Sequence, residues 1–266
     1  MNQSVSVVMA VYNGRRFLGE QMTSLLQDLH AEDELIIVDD ASTDDSFSWL
    51  QSLADQRIRL ARNEKNVGVR LSFERGLRMA KRDVVFLCDQ DDHWRAGKRQ
   101  AFCDAFGRDE RCLVVISDAC LIDAESRQIA ASLMLTRGGF KSGFWANVIR
   151  NRYLGCAMAI RRRLLTAALP IPAHAPMHDM WLGILACRLG HVAYLPEPWI
   201  AYRRHSGNVT PATRRGWLRM VTWRIQLLRA LVVRLGAIAL DPRRRVLIAG
   251  GSDGRDVGMT AHRDSR

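Results

Sequence analysis

The chain has 266 residues, 48% of them hydrophobic, and a formal net charge of +11. That describes a globular protein of one large domain or two small ones, with enough apolar material for a substantial core. It speaks against a transmembrane helix, because no stretch reaches the roughly 18 uninterrupted apolar residues one needs, and Met1-Asn2-Gln3-Ser4 lacks the basic lead of a signal peptide.

In chain order, Val5 to Val11 is a β-rich run ending at the turn signal Asn13-Gly14. Arg16 to Leu29 places Phe17, Met22, Leu25, Leu26 and Leu29 close to helical spacing. Leu35 to Val38 predicts a second strand that leaves into Asp39-Asp40-Ala41-Ser42-Thr43-Asp44, and Phe47, Leu50 and Leu53 mark a second helix. Ile58 to Ala61 is a short third strand, Asn63 to Gly68 a polar loop, and Leu71, Phe73, Leu77 and Met79 a third helix. Val84 to Cys88 and Leu113 to Ile116 read as the fourth and fifth strands. Strands alternating with helices imply crossover units and a mainly parallel sheet covered on both faces.

Past residue 124 the alternation is lost. Arg137 to Trp145, with its Gly-Gly pair, predicts a mobile loop, and Tyr153 to Ile160 a strand with a small-residue face. Pro170, Pro172 and Pro176 break the chain before Met177-His178-Asp179-Met180-Trp181, from which a helix runs to about Leu189 and closes at Gly190. Val192 to Leu195 and Trp199 to Tyr202 are strand-like. Residues 214–235 read as one helix, and 241–266 as a flexible tail. Six scattered cysteines (Cys88, Cys103, Cys112, Cys120, Cys156 and Cys187) form no CxxC pair, which predicts reduced core thiols and a cytoplasmic protein.

The chemistry concentrates where strands end. In open α/β sheets ligands bind beyond the carboxyl ends of the strands. Tyr12-Asn13 follows the first strand, Asp39-Asp40 the second, and Asp89-Gln90-Asp91-Asp92 the fourth. Asp and Asn also terminate strands and cap helices for purely structural reasons, and Asp44 or Asp45 fits that use. A cap needs one carboxylate, not two or three. Three carboxylates within four residues beside a buried strand repel one another and lose solvation. A hard divalent cation such as Mg²⁺ or Mn²⁺ relieves that cost, and an ion held so commonly holds a phosphate.

Together these pieces resemble the inverting nucleotide-sugar glycosyltransferases of family 2, which have the GT-A fold. The resemblance spans about residues 4–210. It rests on Val7 to Gly14, Ile37 to Asp44, Asn66-Val67-Gly68, Phe86 to Trp94, His178-Asp179 and Tyr202 to Asn208, in that order and spacing. The Asp-Gln-Asp-Asp-x-Trp form is most similar to the rhamnosyltransferase-like branch. The resemblance implies a mixed, mainly parallel sheet flanked by helices and a nucleoside-diphosphate sugar donor, UDP- or dTDP-linked. It also implies a glycan or lipid-linked acceptor, with cell-surface polysaccharide synthesis as the setting. On this pattern Ala10 and Tyr12 lie against the base, and Asp40 accepts a hydrogen bond from it. Arg70 faces the diphosphate or base, Asp89 binds the ribose or the metal's shell, Asp91 coordinates the metal, Asp92 reaches the donor sugar, and His205 meets the metal or diphosphate.

The implied reaction is a direct displacement, in which an acceptor hydroxyl attacks the anomeric carbon and the nucleoside diphosphate departs from the opposite face. The hydroxyl needs a general base, and the leaving group needs positive charge. Asp179 matches the family's base; its structural alternative is a helix N-terminal carboxylate stabilised by the helix dipole. His178 is expected to orient or pack. Trp94 and Trp181 suit either walls of a sugar site or the core.

The domain reading is a catalytic unit over 1–212, divided into a nucleotide-sugar half (1–123) and an acceptor half (124–212). A basic amphipathic helix (213–240) and the tail (241–266) follow. Residues 200–266 hold 14 Arg against 4 Asp, whereas residues 1–199 are nearly balanced. In the helix, Arg215, Arg219, Thr222, Gln226 and Arg229 share one face opposite Trp217, Leu218, Val221, Ile225, Leu228, Leu231, Val232 and Leu235, with Arg224 intruding on the apolar side. Such a helix suits an anionic membrane surface, placing the protein peripherally on the inner face of the cell membrane; it equally suits docking on the catalytic body. A basic nucleic-acid-binding protein is a competing reading, but the aromatics sit on the apolar face rather than beside the arginines, so nucleic acid is not the expected partner. A catalytically inactive transferase-like scaffold is a third; it has no need of a costly charge cluster.

Overall fold

The computed structural model describes residues 3–175, 177–205, 217–241 and 248. The aliphatic runs become central strands because their side chains are apolar on both pleat faces. β1 (Val5–Val11), β2 (Glu34–Asp39), β3 (Ile58–Arg62) and β4 (Val84–Cys88) lie parallel, joined by α1 (Arg15–Asp28), α2 (Ser46–Gln51) and α3 (Val69–Met79). Val8 sits opposite Ile36 on one side and Leu87 on the other. All three are fully buried, and each such side chain contributes roughly 1.5–3 kcal/mol.

The rest of the chain extends the same sheet: β5 (His93–Trp94), α4 (Lys98–Arg108), β6 (Cys112–Ile122), β7 (Gln128–Ala130), α5 (Leu133–Thr136), α6 (Phe144–Ile149), β8 (Met158–Arg161), α7 (Leu165–Ala168), α8 (His178–Leu189), β9 (His191–Arg203) and α9 (Trp217–Leu240). The order across it is β3-β2-β1-β4-β8-β6-β9-β5, with β7 on β6. β8 is antiparallel to both β4 and β6, while β6 and β9 are parallel. The sheet is therefore mixed, and the carboxyl ends of β1, β2 and β4 share one rim. All six cysteines are free thiols.

Several elements differ from the sequence reading. α4 was not foreseen; its Lys98 and Arg99 are buried, with Phe102 and Phe106. The segment read as a loop over Arg137–Trp145 ends inside α6, which starts at Phe144 after Gly138, Gly139 and Gly143 take positive φ. The strand expected over Tyr153–Ile160 is shorter, because Gly155–Ala157 forms a 3₁₀ turn before β8. The two short strands after Gly190 are one, β9, whose Pro196-Glu197-Pro198 segment meets register shifts in its pairing with β6. Trp94 and Trp181 belong to the core: both are buried, Trp94 beneath Lys98 and Trp181 donating its indole N–H to the Ala168 carbonyl.

α9 packs on the body through Leu227, Leu231 and Ile238, whereas Val221, Ile225 and Val232 of the apolar face read from the sequence are exposed. The intruding Arg224 has a purpose: it donates to the Val148 and Ile149 carbonyls at the C-terminal end of α6, where helix carbonyls lack partners. Arg234 donates to the carbonyls of Ala167, Leu169 and Pro170 and lies over the Trp181 ring. No helix among the described residues is long and apolar enough to cross a membrane. The Ser206-Gly207-Asn208 piece of the last motif and almost all of the tail lie outside the described residues.

Candidate active site

The rim is assembled by side chains that tie the strand ends together. Asn13, held at positive φ, accepts from the Thr43 amide (2.8 Å) and donates its own amide to the Ser42 hydroxyl, joining the loops after β1 and β2. Gln90 clamps the loop after β4 to β1, accepting from Tyr12 N (2.8 Å) and donating to Tyr12 O (3.1 Å). A Cβ on Gly14 would meet the Gln90 amide at 2.3 Å, so this close approach requires glycine. Asp40 uses both carboxylate oxygens on the next loop, accepting from Asn63 Nδ2 (2.7 Å), Val67 N (2.9 Å) and Gly68 N (2.8 Å).

These loops enclose a cavity of about 450 Å³, within the range of small-molecule sites. Ala10, Tyr12, Asp40, Asp89, Asp91 and Asp179 all line it, so residues as far apart as 10 and 179 meet in one place. Tyr12 is half exposed and presents its ring. Arg70 is not among the lining residues; its guanidinium donates to the Ile171 carbonyl (3.0 Å) instead. Asp92 lies beneath the floor, fully buried, with Oδ1 accepting from Arg203 N (2.9 Å) and Oδ2 without a partner. His205 stands behind Asp91, its Nε2 2.7 Å from Asp91 Oδ2 and its ring 4.6 Å from that of Phe17.

The acidic cluster is under electrostatic tension. Burial, then the charges of Asp92, Asp91 and Asp179, push the Asp89 carboxyl well above the usual carboxylate range. Burial and Asp91 push Asp92 up to about 7. Among the described residues no Lys or Arg side chain hydrogen-bonds to Asp89 or Asp92. Lys98 is close by, but it donates to the Cys156 carbonyl (2.8 Å), and burial pulls its ammonium down to about 8. Mutual repulsion and an orphaned carboxylate oxygen fit a bound cation. Ligand atoms of Asp89, Asp92 and Cys156 lie within 4.8 Å of one another. Burial holds the Cys156 thiol far above its ordinary value and therefore protonated, so the donors available are oxygens, which suit Mg²⁺ or Mn²⁺.

Asp179 opens α8. Its Oδ1 accepts from Met180 N (2.5 Å) and its Oδ2 from Gly155 N (3.2 Å). The helix-terminal role is thus real, yet the carboxylate also lines the cavity. Burial raises it to about 6, against the lowering effects of those two N–H groups and of Arg137. His178 stacks on Phe73 at 4.1 Å, and burial drops its imidazole to about 3, so it is neutral. Neither of its ring nitrogens has a partner, and it lines the cavity beside Asp179, offering one donor and one acceptor to a bound hydroxyl.

Two cations escaped the sequence reading. Arg203, buried at the end of β9, donates Nε to the Asp91 carbonyl (2.8 Å) and its backbone N–H to Asp92, and pairs with Glu20. It fixes the acidic loop in place. Arg137 is positioned by Arg152, which donates to the Arg137 and Gly139 carbonyls. Neither signal is local: both depend on contacts between segments distant in sequence.

The geometry has counterparts among known proteins. The family model for glycosyl transferase family 2 matches residues 6–166. The chain is 26% identical over 222 residues to a putative teichuronic acid biosynthesis glycosyltransferase, TuaG of Bacillus subtilis, covering 80% of this chain and 85% of that one. It is 30% identical over 218 residues to an uncharacterized glycosyltransferase of Nostoc sp., covering 77% of this chain and 66% of the relative. A 23% identity over 187 residues (68% of this chain, 69% of the relative) relates it to the Escherichia coli UDP-Glc:alpha-D-GlcNAc-diphosphoundecaprenol beta-1,3-glucosyltransferase WfgD. Among solved structures, S. aureus TarS in complex with UDP-GlcNAc superposes with a TM-score of 0.66 at 16% identity, over 92% of this chain and 70% of that one, which establishes the GT-A fold.

Proposed function

Because the chain belongs to glycosyltransferase family 2, we propose that it moves a sugar, with inversion, from a UDP- or dTDP-linked donor to a glycan or lipid-linked acceptor in cell-surface polysaccharide synthesis. The observation behind this reading is the single cavity shared by Tyr12, Asp40, Asp89, Asp91 and Asp179, which come from four separate segments. The relatives named for teichuronic acid and for a diphosphoundecaprenol acceptor support the class of product.

In this reading Tyr12 stacks on the base and Ala10 leaves room for it. Asp40 shapes the base pocket by holding the Asn63–Gly68 loop, and its remaining lone pair accepts from the base. Asp89 and Asp91 would hold Mg²⁺ or Mn²⁺, with Asp92 behind them and His205 on the far side of Asp91. The ion would neutralise the charge that grows on the departing diphosphate. Asp179 takes the proton of the acceptor hydroxyl as it attacks the anomeric carbon. A carboxylate raised to about 6 is still ionised at neutral pH, yet is a stronger base than an ordinary aspartate. Arg137 adds positive charge on the acceptor side. The reaction would take place in the cytoplasm.

A panel of uridine- and thymidine-diphosphate sugars tests this. Release of the nucleoside diphosphate from one or a few of them, dependent on Mn²⁺ or Mg²⁺, is the expected result. No release from any donor, together with no binding of UDP or dTDP by calorimetry, would remove the reading.

A further inference from the structure

α9 has two unlike flanks. Leu227, Leu231 and Ile238 bury one against the body, and Arg224 and Arg234 bolt that flank to backbone carbonyls. The other flank is also apolar and stands in water: Val221, Ile225, Val232, Val233 and Leu240 are exposed, Val232 and Val233 by more than 70%. A helix finished by docking would be polar there. The bonds from Arg224 to the last carbonyls of α6 set that helix against the same turn of α9. Trp145 and Ile149 of α6 are each 65% exposed, and Val221 and Ile225 flank Arg224 along α9. Exposed apolar side chains therefore occur on both helices that Arg224 joins, more than scattered surface residues require.

Charge identifies the occupant. No Asp or Glu occurs between Trp217 and Leu240, whereas Arg214-Arg215 precede the helix in sequence and Arg243-Arg244-Arg245 follow it. Arg229 is exposed on the outer flank, and Lys141 and Arg150 are exposed around α6. A second copy of this chain would bring arginines against arginines. An anionic bilayer meets both demands: aliphatic side chains and the indole enter the headgroup–acyl boundary, and guanidinium groups reach lipid phosphates.

We propose that the outer flank of α9, with Trp145 and Ile149 of α6, is a docking face for an anionic lipid bilayer, lying on the membrane rather than crossing it. Arg234 ties α9 to the Ala167–Pro170 segment and to Trp181 of α8, the helix whose first turn carries Asp179. Docking therefore brings the catalytic helix close to the bilayer. That last step rests on the transferase reading, and it suits an acceptor held by a lipid tail.

The test is co-sedimentation of the full chain with vesicles of phosphatidylcholine alone and with a quarter of phosphatidylglycerol, at low and high salt. Binding should be about tenfold tighter to the anionic vesicles and weaken with salt. The double variant Val232→Asp, Val233→Asp should lose about tenfold of that binding. Its melting temperature and its release of diphosphate from a soluble donor should be unchanged. Absence of binding by the full chain, or equal binding by the double variant, overturns the proposal. So does a dimer in sedimentation velocity that the same variant dissociates, since the face would then belong to a second copy. Diphosphate release from a soluble donor is measured separately, so failure of the membrane face and failure of the transferase reading are distinguishable.

Discussion

The two rims of the sheet treat buried acid in opposite ways. At the amino ends of β1 and β2, Asp33 and Glu34 are each given partners. Asp33 accepts from Val5 N (2.8 Å) and His30 N (2.8 Å) and pairs with the buried Arg99, whose Nε lies 2.6 Å from Oδ2. Burial pushes Glu34 up, but the Ser6 hydroxyl, the Lys81 amide and Arg59 outweigh it and hold the carboxyl below its usual value. At the carboxyl ends, Asp89, Asp92 and Asp179 are all held above theirs. The first rim has its counter-charges built in. On the second, Asp39 has Arg62 at 3.2 Å, but among the described residues Asp89 and Asp92 accept from no Lys or Arg side chain, which is how a surface awaiting a cation and a phosphate would be made.

The largest expected effect breaks the first rim. Arg99→Met leaves Asp33 buried without its ion pair and should cost about 3–5 kcal/mol of stability. Urea unfolding would measure it, with donor affinity of the folded fraction unchanged. A loss under 1 kcal/mol would mean that the two rims are not electrostatically different. The next effect belongs to the second rim. Asp179→Asn keeps one of the two backbone contacts, since its single amide oxygen can accept from Met180 N or Gly155 N but not both, and it removes the base, so turnover should fall by about 10² while nucleotide affinity holds. Near-normal turnover would take Asp179 out of the mechanism.

Most of the second rim was legible in the sequence, whereas the first was not. The runs Val5–Val11 and Val84–Cys88 announce strands because every side chain but Ser6 is apolar, and the polar motifs that follow must then share a rim. Asp33 and Arg99 gave no such sign, since a lone aspartate and a lone arginine look like surface until α4 folds over the strand starts. Cys156 was read rightly as a core thiol, but its place against Asp89 and Asp92 depends on a 3₁₀ turn that no local pattern announces. Arg70 shows the reverse: its position in the motif order suggested the donor, and the structure spends its guanidinium on the Ile171 carbonyl. Order along the chain locates the rim; which way a long side chain turns is settled by the nearest unsatisfied carbonyl.

A smaller effect sharpens the comparison through pH. With the Asp179 carboxyl at about 6, its basic form is lost as pH falls through that value. Turnover should therefore be flat from pH 8 to 7 and fall about tenfold by pH 5. The limb should vanish from the residual activity of Asp179→Asn. A limb that persists in the variant assigns the titration to another group.

The smallest effect tests whether the second rim is under tension when no cation is present. Asp89 has its carboxyl raised in the folded state, so the fold binds that proton more tightly than the unfolded chain does. Its contribution to stability is full below the ordinary value of 3.8 and is lost as pH rises through the elevated one. At pH 7.5 in a chelator the ionised cluster should therefore destabilise the protein, and Asp89→Asn should stabilise it by about 1 kcal/mol, or roughly 2–4 °C in melting temperature. At pH 4, where the wild-type carboxyl is already protonated, the difference should shrink toward zero. Added Mn²⁺ should raise the wild type and leave the variant nearly unmoved, reversing the order of the two. If Asp89→Asn melts lower than the wild type in chelator at neutral pH, the carboxylate is a structural partner like Asp33, and the contrast between the rims fails at its central residue.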